Sequence, residues 1–242
     1  MQSVFPRIFS IEGNIGSGKT TLFNKLRKEM ESQTICFVKE PVDEWEKIKD
    51  NSGESILSLF YKDKKSNAFT FQVMAYLTII KEIKKCIEEN PKCKIIICER
   101  SFISSQTIFT NMLHDDGYIS DVQYQIYKLM CTDCPFNLAG TIHLDVSPET
   151  CARRIISRGR KGEEEIPMDY LEKCQQYHNM WMNKQDYVNI LETNFKIEEY
   201  RQLPFLERKK LKIVIDDNMD LLFDEIVYMV NFLIDVSSLL ER

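Results

Sequence analysis

The stretch Arg7-Ile8-Phe9-Ser10-Ile11-Glu12-Gly13-Asn14-Ile15-Gly16-Ser17-Gly18-Lys19-Thr20-Thr21 constrains the fold more than any other: an apolar run breaks into glycines and ends in a lysine and two hydroxyls. Ile8, Phe9 and Ile11 have the β-branched and aromatic character of a short strand. Gly13, Gly16 and Gly18 permit backbone angles that turn successive N–H groups inward toward an anion. Lys19 follows where an ammonium can reach β- and γ-phosphate oxygens. Thr20 supplies a hydroxyl for Mg²⁺ at the start of a helix whose dipole favours negative charge. Leu22, Phe23, Leu26 and Met30 carry that helix's apolar face. The stretch reads as a P-loop, whose four fixed positions match by chance in a chain this long on the order of once in a hundred.

A chain of 242 residues can bury one sizeable core, and an even spread of apolar residues (43%) points to a single domain over 1–242. The net charge of −5 argues against a nucleic-acid polymer as partner, because binding one needs a broad basic surface; a small anionic ligand remains compatible. No apolar run approaches the roughly 18 residues of a membrane helix. Few residues precede the first strand, so we expect no leader, no membrane partner and a cytoplasmic protein. The eight cysteines are scattered, and Cys36 and Cys98 fall inside apolar strands, so no disulfide framework is expected. Cys131-Thr132-Asp133-Cys134 has ligand-like spacing but no second Cys or His pair at a matching interval, which favours coincidence over zinc.

Further strands are expected at 34–39, 94–98, 141–146 and 211–215, alternating with helices at 69–89, 120–131, from Pro148, from Pro167, and at 220–240. That alternation implies an α/β fold with a parallel sheet covered on both faces and right-handed crossovers. Ligands of such sheets lie at the strands' carboxyl ends. Glu40 ends the second strand there, and Glu99-Arg100-Ser101 ends the third. A carboxylate beside a phosphate cradle is a candidate base. An arginine next to a metal-contacting carboxylate suits phosphoryl transfer. Arg153, Arg154, Arg158, Arg160 and Lys161 run toward Gly159 and Gly162, a basic cluster that reads as a phosphate-closing lid over about 154–166. The stripe Tyr170, Leu171, Cys174, Tyr177, His178 and Trp181 reads as core, and 184–210 has no assignable pattern.

Five ordered blocks resemble the deoxynucleoside kinase family, which holds deoxycytidine, deoxyguanosine and mitochondrial-type thymidine kinases and the broad-specificity insect enzyme. They are Ile11-Glu12-Gly13-Asn14-Ile15 into the P-loop, Glu40-Pro41-Val42 with Trp45, Tyr61 with Phe69-Thr70-Phe71-Gln72, Glu99-Arg100-Ser101, and Arg154-x-x-x-Arg158-Gly159-Arg160 with Ile166-Pro167. The resemblance runs from about Phe9 to Asp220. It implies a five-stranded parallel P-loop kinase fold, a homodimer, and transfer of the ATP γ-phosphate to a deoxynucleoside 5′-hydroxyl with Mg²⁺. Catalysis would then fall to Glu40 as base, with Arg100, Lys19 and Arg158 on the phosphates. ATP would be gripped by the loop residues Gly13, Asn14, Ile15, Gly16, Ser17, Gly18, Lys19, Thr20 and Thr21, by Arg154, Arg158 and Arg160, and by Asp220. Thr20 and Glu99 would serve the metal. Tyr61 and Glu163 would hold the sugar 3′-hydroxyl, and Gln72 would read the base edge through its amide. Val42, Trp45, Phe60 and Phe109 would form apolar walls, with Phe109 stacking on the base.

Departures from the family pattern fall in the base pocket. Deoxycytidine and deoxyguanosine kinases carry an arginine and an aspartate where this chain has Ile79 and Ser105, which looks like the thymidine-accepting branch. An uncharged niche has room for a thymine methyl, so a pyrimidine preference with thymidine accepted is expected. Ala75, smaller than that branch's valine, enlarges the niche, and Gln106 replaces a usual arginine. Two rival readings are weaker. A nucleoside monophosphate kinase needs an acceptor-side arginine where Glu40 would repel phosphate. A GTPase switch would use Asp50-Asn51-Ser52-Gly53 and Asn183-Lys184-Gln185-Asp186, neither of which ends an apolar strand.

Overall fold

The computed structural model describes residues 5–163, 166–183, 188–189 and 210–214, and helical positions 223, 224, 226–228, 230, 231 and 234. Its strands are β1 (Arg7–Gly13), β2 (Ile35–Val38), β3 (Ile95–Glu99), β4 (Leu138–Asp145), β5 (Val188–Asn189) and β6 (Lys210–Val214). They form one sheet in the order β2-β3-β1-β4-β6-β5, and every neighbouring pair is parallel. The expected five strands are thus corrected to six. The addition, β5, is a two-residue strand inside the unassigned 184–210 segment that pairs with β6, too short to carry any period a sequence could display.

The helices are α1 (Lys19–Met30), α2 (Val42–Trp45), α3 (Ile56–Lys62), α4 (Lys64–Glu89), α5 (Phe102–Ser104), α6 (Asn111–Asp115), α7 (Asp121–Thr132), α8 (Pro148–Arg158) and α9 (Met168–Asn183), with a π-helical stretch at Ser105–Thr110 between α5 and α6. Helix α4 starts five residues earlier than expected, because the Asp63 carboxylate caps it by accepting from Ser66 N at 3.2 Å. Ser147 caps α8 with Pro148 at its first position, as expected.

The strands alternate across two buried faces, which is why they read as nearly continuous apolar runs. Phe9 and Ile11 of β1 pack with Leu22, Phe23 and Leu26 of α1 and with Ile226, Val230 and Ile234 near the C-terminus. Ile8 points the other way, onto Tyr76, Ile79, Ile80 and Ile83 of α4 and Tyr127 of α7. A third cluster, with Trp45, Leu57, Phe60, Phe71, Leu171 and Cys174, closes over the carboxyl edge of the sheet. The α9 stripe is core, as read: Tyr170, Leu171, Cys174, His178 and Trp181 are buried and Tyr177 is partly so. Of the closing helix expected at 220–240, Leu222, Met229, Leu233 and Leu240 lie outside the described residues.

All eight cysteines are free, and no group of three metal-ligating side chains occurs among the described residues. No described helix is long and apolar enough to cross a membrane. Asp50 sits in an exposed turn, where its carboxylate accepts from Ser52 N and Glu54 N, each at 2.9 Å. A GTPase switch would need it at the end of a buried strand.

Candidate active site

The glycine loop leaves β1 with Gly13 at φ 146°, Gly16 at φ 78° and Gly18 at φ 96°. Gly16 is required by space as well as by angle, since a Cβ there would sit 2.5 Å from the Cys151 carbonyl oxygen of α8. Asn14 braces the loop from behind: its amide donates to Leu171 O of α9 at 2.8 Å, and its own Oδ1 accepts from Ile15 N at 2.8 Å. Gly13, Asn14 and Ser17 therefore shape the loop from outside the cavity that the rest of it lines. Lys19 Nζ crosses the loop, donating to Gly13 O at 3.1 Å and Asn14 O at 2.6 Å. Burial, helped by the positive charge of Arg100, pushes the ammonium down to about 7.

The other half of the site comes from the ends of β2 and β3. Glu40 follows β2, and its Oε1 lies 3.0 Å from Arg100 Nε. Arg100 has φ 62°, a left-handed backbone in a bulky residue, and its N–H donates to Ile11 O at 3.0 Å, anchoring the turn to β1. Such strain costs on the order of 1–3 kcal/mol and marks positions where side-chain direction matters. The guanidinium carbon lies 4.8 Å above the Phe109 ring centroid, a cation–π contact. Glu40 and Phe109 thus hold the Arg100 guanidinium from two sides. Burial raises the Glu40 carboxyl, with Arg100 opposing and Glu99 reinforcing the rise. Burial lowers Arg100, but the Glu40 and Glu12 carboxylates outweigh it and hold the guanidinium firmly charged.

Thr20 Oγ1 donates to Glu99 Oε1, while Glu99 Oε2 is buried without a partner. A hydroxyl and a carboxylate with a spare oxygen at the mouth of a P-loop are hard donors that fit Mg²⁺. Thr20 and Glu99 would hold it, supplying charge neutralisation for transferring phosphate.

The basic segment closes the opposite side. Arg154 Nη1 donates to Ser17 O at 3.1 Å, fastening α8 to the loop. Glu163 is buried and carries two guanidinium groups: Arg158 donates to its Oε2, and Arg160 Nη1 to its Oε1 at 2.9 Å. Residues 164 and 165 of the expected lid, and Asp220, lie outside the described residues.

These parts converge on one cavity of about 570 Å³. The glycine loop lines it with Ile15, Gly16, Gly18, Lys19, Thr20 and Thr21, and the basic segment with Arg154, Arg158 and Arg160. It is also lined by Val42, Trp45, Phe60, Tyr61, Gln72, Ala75, Ile79, Ser105 and Phe109, and by Glu163 beside the two arginines. Glu40, Glu99 and Arg100 line it as well. Trp45 is fixed by its indole N–H, which donates to Thr78 Oγ1 at 2.8 Å. Sequence reasoning missed Lys39, Leu57, Phe71, Ser101, Ser104 and Tyr170, which also line the cavity. Phe71 stands next to Gln72 and stacks on Phe60 at 4.6 Å, a signal within reach, whereas Tyr170 was absorbed into a core stripe.

The sequence model of the deoxynucleoside kinase family matches residues 9–223. A probable deoxycytidine kinase of fowlpox virus is 36% identical over 193 residues, covering 76% of this chain and 77% of the viral protein. Human deoxycytidine kinase is 31% identical over 218 residues, 81% of each chain. A putative kinase of invertebrate iridescent virus 3 is 31% identical over 191 residues, 79% of this chain and 90% of the viral protein. A P-loop and a Glu–Arg pair facing one cavity, in a chain matched over most of its length, place it with these enzymes: it belongs to the deoxynucleoside kinase family.

Proposed function

We propose that this enzyme transfers the ATP γ-phosphate to the 5′-hydroxyl of a pyrimidine deoxynucleoside, with thymidine accepted. The observation that carries the reading is the Glu40–Arg100 pair, 3.0 Å apart, in the same cavity as Lys19 and Gln72. A carboxylate in that place suits removal of a proton from a neutral alcohol and disfavours an acceptor that already bears phosphate, which argues against a monophosphate kinase. Arg100 orients Glu40 and adds positive charge toward the transferring group, Lys19 contacts the donor phosphates, and Arg154, Arg158 and Arg160 close on them. Catalysis of this kind is mostly positioning and charge compensation. Magnesium ion is the expected companion of ATP, at Thr20 and Glu99.

The base preference rests on Gln72, Ile79, Ser105 and Ala75. Gln72 offers donor and acceptor together, and Ile79, Ala75 and Ser105 leave an uncharged niche. The names of the fowlpox and human relatives support deoxycytidine as a second substrate. A homodimer is part of the same reading: Val122, Ile126 and Leu129 are exposed at one-turn spacing on α7, an apolar stripe suited to a second copy.

Turnover of ATP against thymidine, deoxycytidine, deoxyadenosine and deoxyguanosine tests the substrate class; dominance by either purine would refute it. Glu40→Gln is expected to lower kcat by roughly 10²–10⁴ while the nucleoside KM stays within a few-fold. Unchanged turnover would remove Glu40 from the base role.

A further inference from the structure

Gln72 lines the cavity from α4, and its amide oxygen meets a hydroxyl behind it. The Ser105 hydroxyl donates to Gln72 Oε1 at 3.4 Å, and Ser105 Oγ lies 3.1 Å from the hydroxyl of Tyr127 on α7. A serine has one hydroxyl proton, so with that proton on Gln72 the phenol must be the donor to Ser105. Tyr127 has no solvent exposure, and its ring meets Tyr76, one helical turn beyond Gln72 on α4, edge-on at 5.8 Å. The phenol can donate or accept, and Thr110 is its second hydroxyl neighbour, so its direction follows from the one proton that Ser105 gives to Gln72. Ser105 is itself located by the π-helical stretch it opens, where the wider turn lets Thr110 Oγ1 donate to Ser105 O at 2.9 Å.

Resting on the pyrimidine reading above, we infer that Tyr127 is a specificity-determining positioning residue: through Ser105 it locks Gln72 with Oε1 toward α7 and its NH₂ committed as the donor on one side of the base edge. The chemistry makes that orientation selective. Thymine presents an N–H at position 3 flanked by carbonyls, so the glutamine oxygen must face position 3 and the NH₂ a neighbouring carbonyl. Cytosine reverses this order, with a bare nitrogen at position 3 and an amino group at position 4. One amide orientation cannot satisfy both bases in one pose, whereas an amide free to flip satisfies either. A locked amide therefore discriminates between the two pyrimidines, and a released one tolerates both.

The test is kcat/KM for thymidine and deoxycytidine in the wild type, Ser105→Ala, Tyr127→Phe and the double variant, with melting temperatures in parallel. The wild type should favour one pyrimidine by about tenfold or more, the effect of one misplaced hydrogen bond. Each single variant should bring the ratio to within about threefold of unity, with the change in KM, and the double variant should add nothing further because both act on one chain of hydrogen bonds. A wild-type ratio near unity, a ratio that Tyr127→Phe leaves unchanged, or additive effects in the double variant would each overturn the proposal. If Tyr127→Phe does not fold, Tyr127→Met, which also lacks the hydroxyl, is measured in its place with the same ratio as readout. Purine dominance in the wild type would sink the pyrimidine reading, whereas an unmoved thymidine-to-deoxycytidine ratio sinks only the lock.

Discussion

At the scale of single residues, burial moves two charges of the site, Glu40 and Lys19, away from their ordinary titration. The Glu40 carboxyl lies above its usual value, and the Lys19 ammonium lies far below its own, near 7. The direction of each shift sets a limb of the pH profile. A base must be deprotonated, so activity should fall on acidification beginning above the 4.5 of an ordinary glutamate. A phosphate-binding ammonium must be charged, so kcat/KM for ATP should fall as pH rises through about 7. Measuring kcat/KM for ATP across pH checks both; an acid limb at the ordinary glutamate value would mean that burial does not perturb the base. Most of these residues were legible in the chain because each stands at a local landmark, a glycine turn or the carboxyl end of an apolar run. The partner of Arg100 was legible in the same way, since Glu40 and Glu99-Arg100 end two strands of a parallel sheet. Phe109 lying under the guanidinium was not, because nothing in a sequence states which ring a cation will cover.

At the scale of elements, the P-loop works because α8 packs backbone against backbone upon it. Gly16 approaches the Cys151 carbonyl so closely that a methyl group would fall 2.5 Å from it, at a φ that side chains already disfavour. Gly16→Ala should cost about 2 kcal/mol or more, or about 4–8 °C in melting temperature, and weaken ATP binding. Thermal denaturation with and without ATP measures both, and a variant as stable as the wild type would show that the loop and α8 can separate freely. The short elements were the least legible. The π-helical turn at Ser105–Thr110 and the two-residue strand β5 have no length over which a period could show, and both exist because neighbours hold them. Helix α4, by contrast, announced itself by spacing, and only its capped start went unread.

At the scale of the whole molecule, two structural facts await partners: the cavity between the glycine loop and the aromatic cluster, and the apolar stripe of α7. If the stripe is a homodimer seam, Leu129→Glu should shift the protein toward monomer in light scattering or sedimentation while the isolated chain stays folded; an unchanged mass would place any seam elsewhere. The sequence by itself determined the glycine loop, the parallel alternation of strands and helices, and the placing of Glu40, Glu99 and Arg100 at strand ends, because these depend on backbone geometry and on side chains within a few positions of one another. Only tertiary structure decided that Gln72, Ser105 and Tyr127 form one chain of hydrogen bonds and that Asn14 reaches α9. The partners in each lie 22 residues or more apart. Whether such groups meet is set by how helices settle on the two faces of the sheet, which local sequence does not encode.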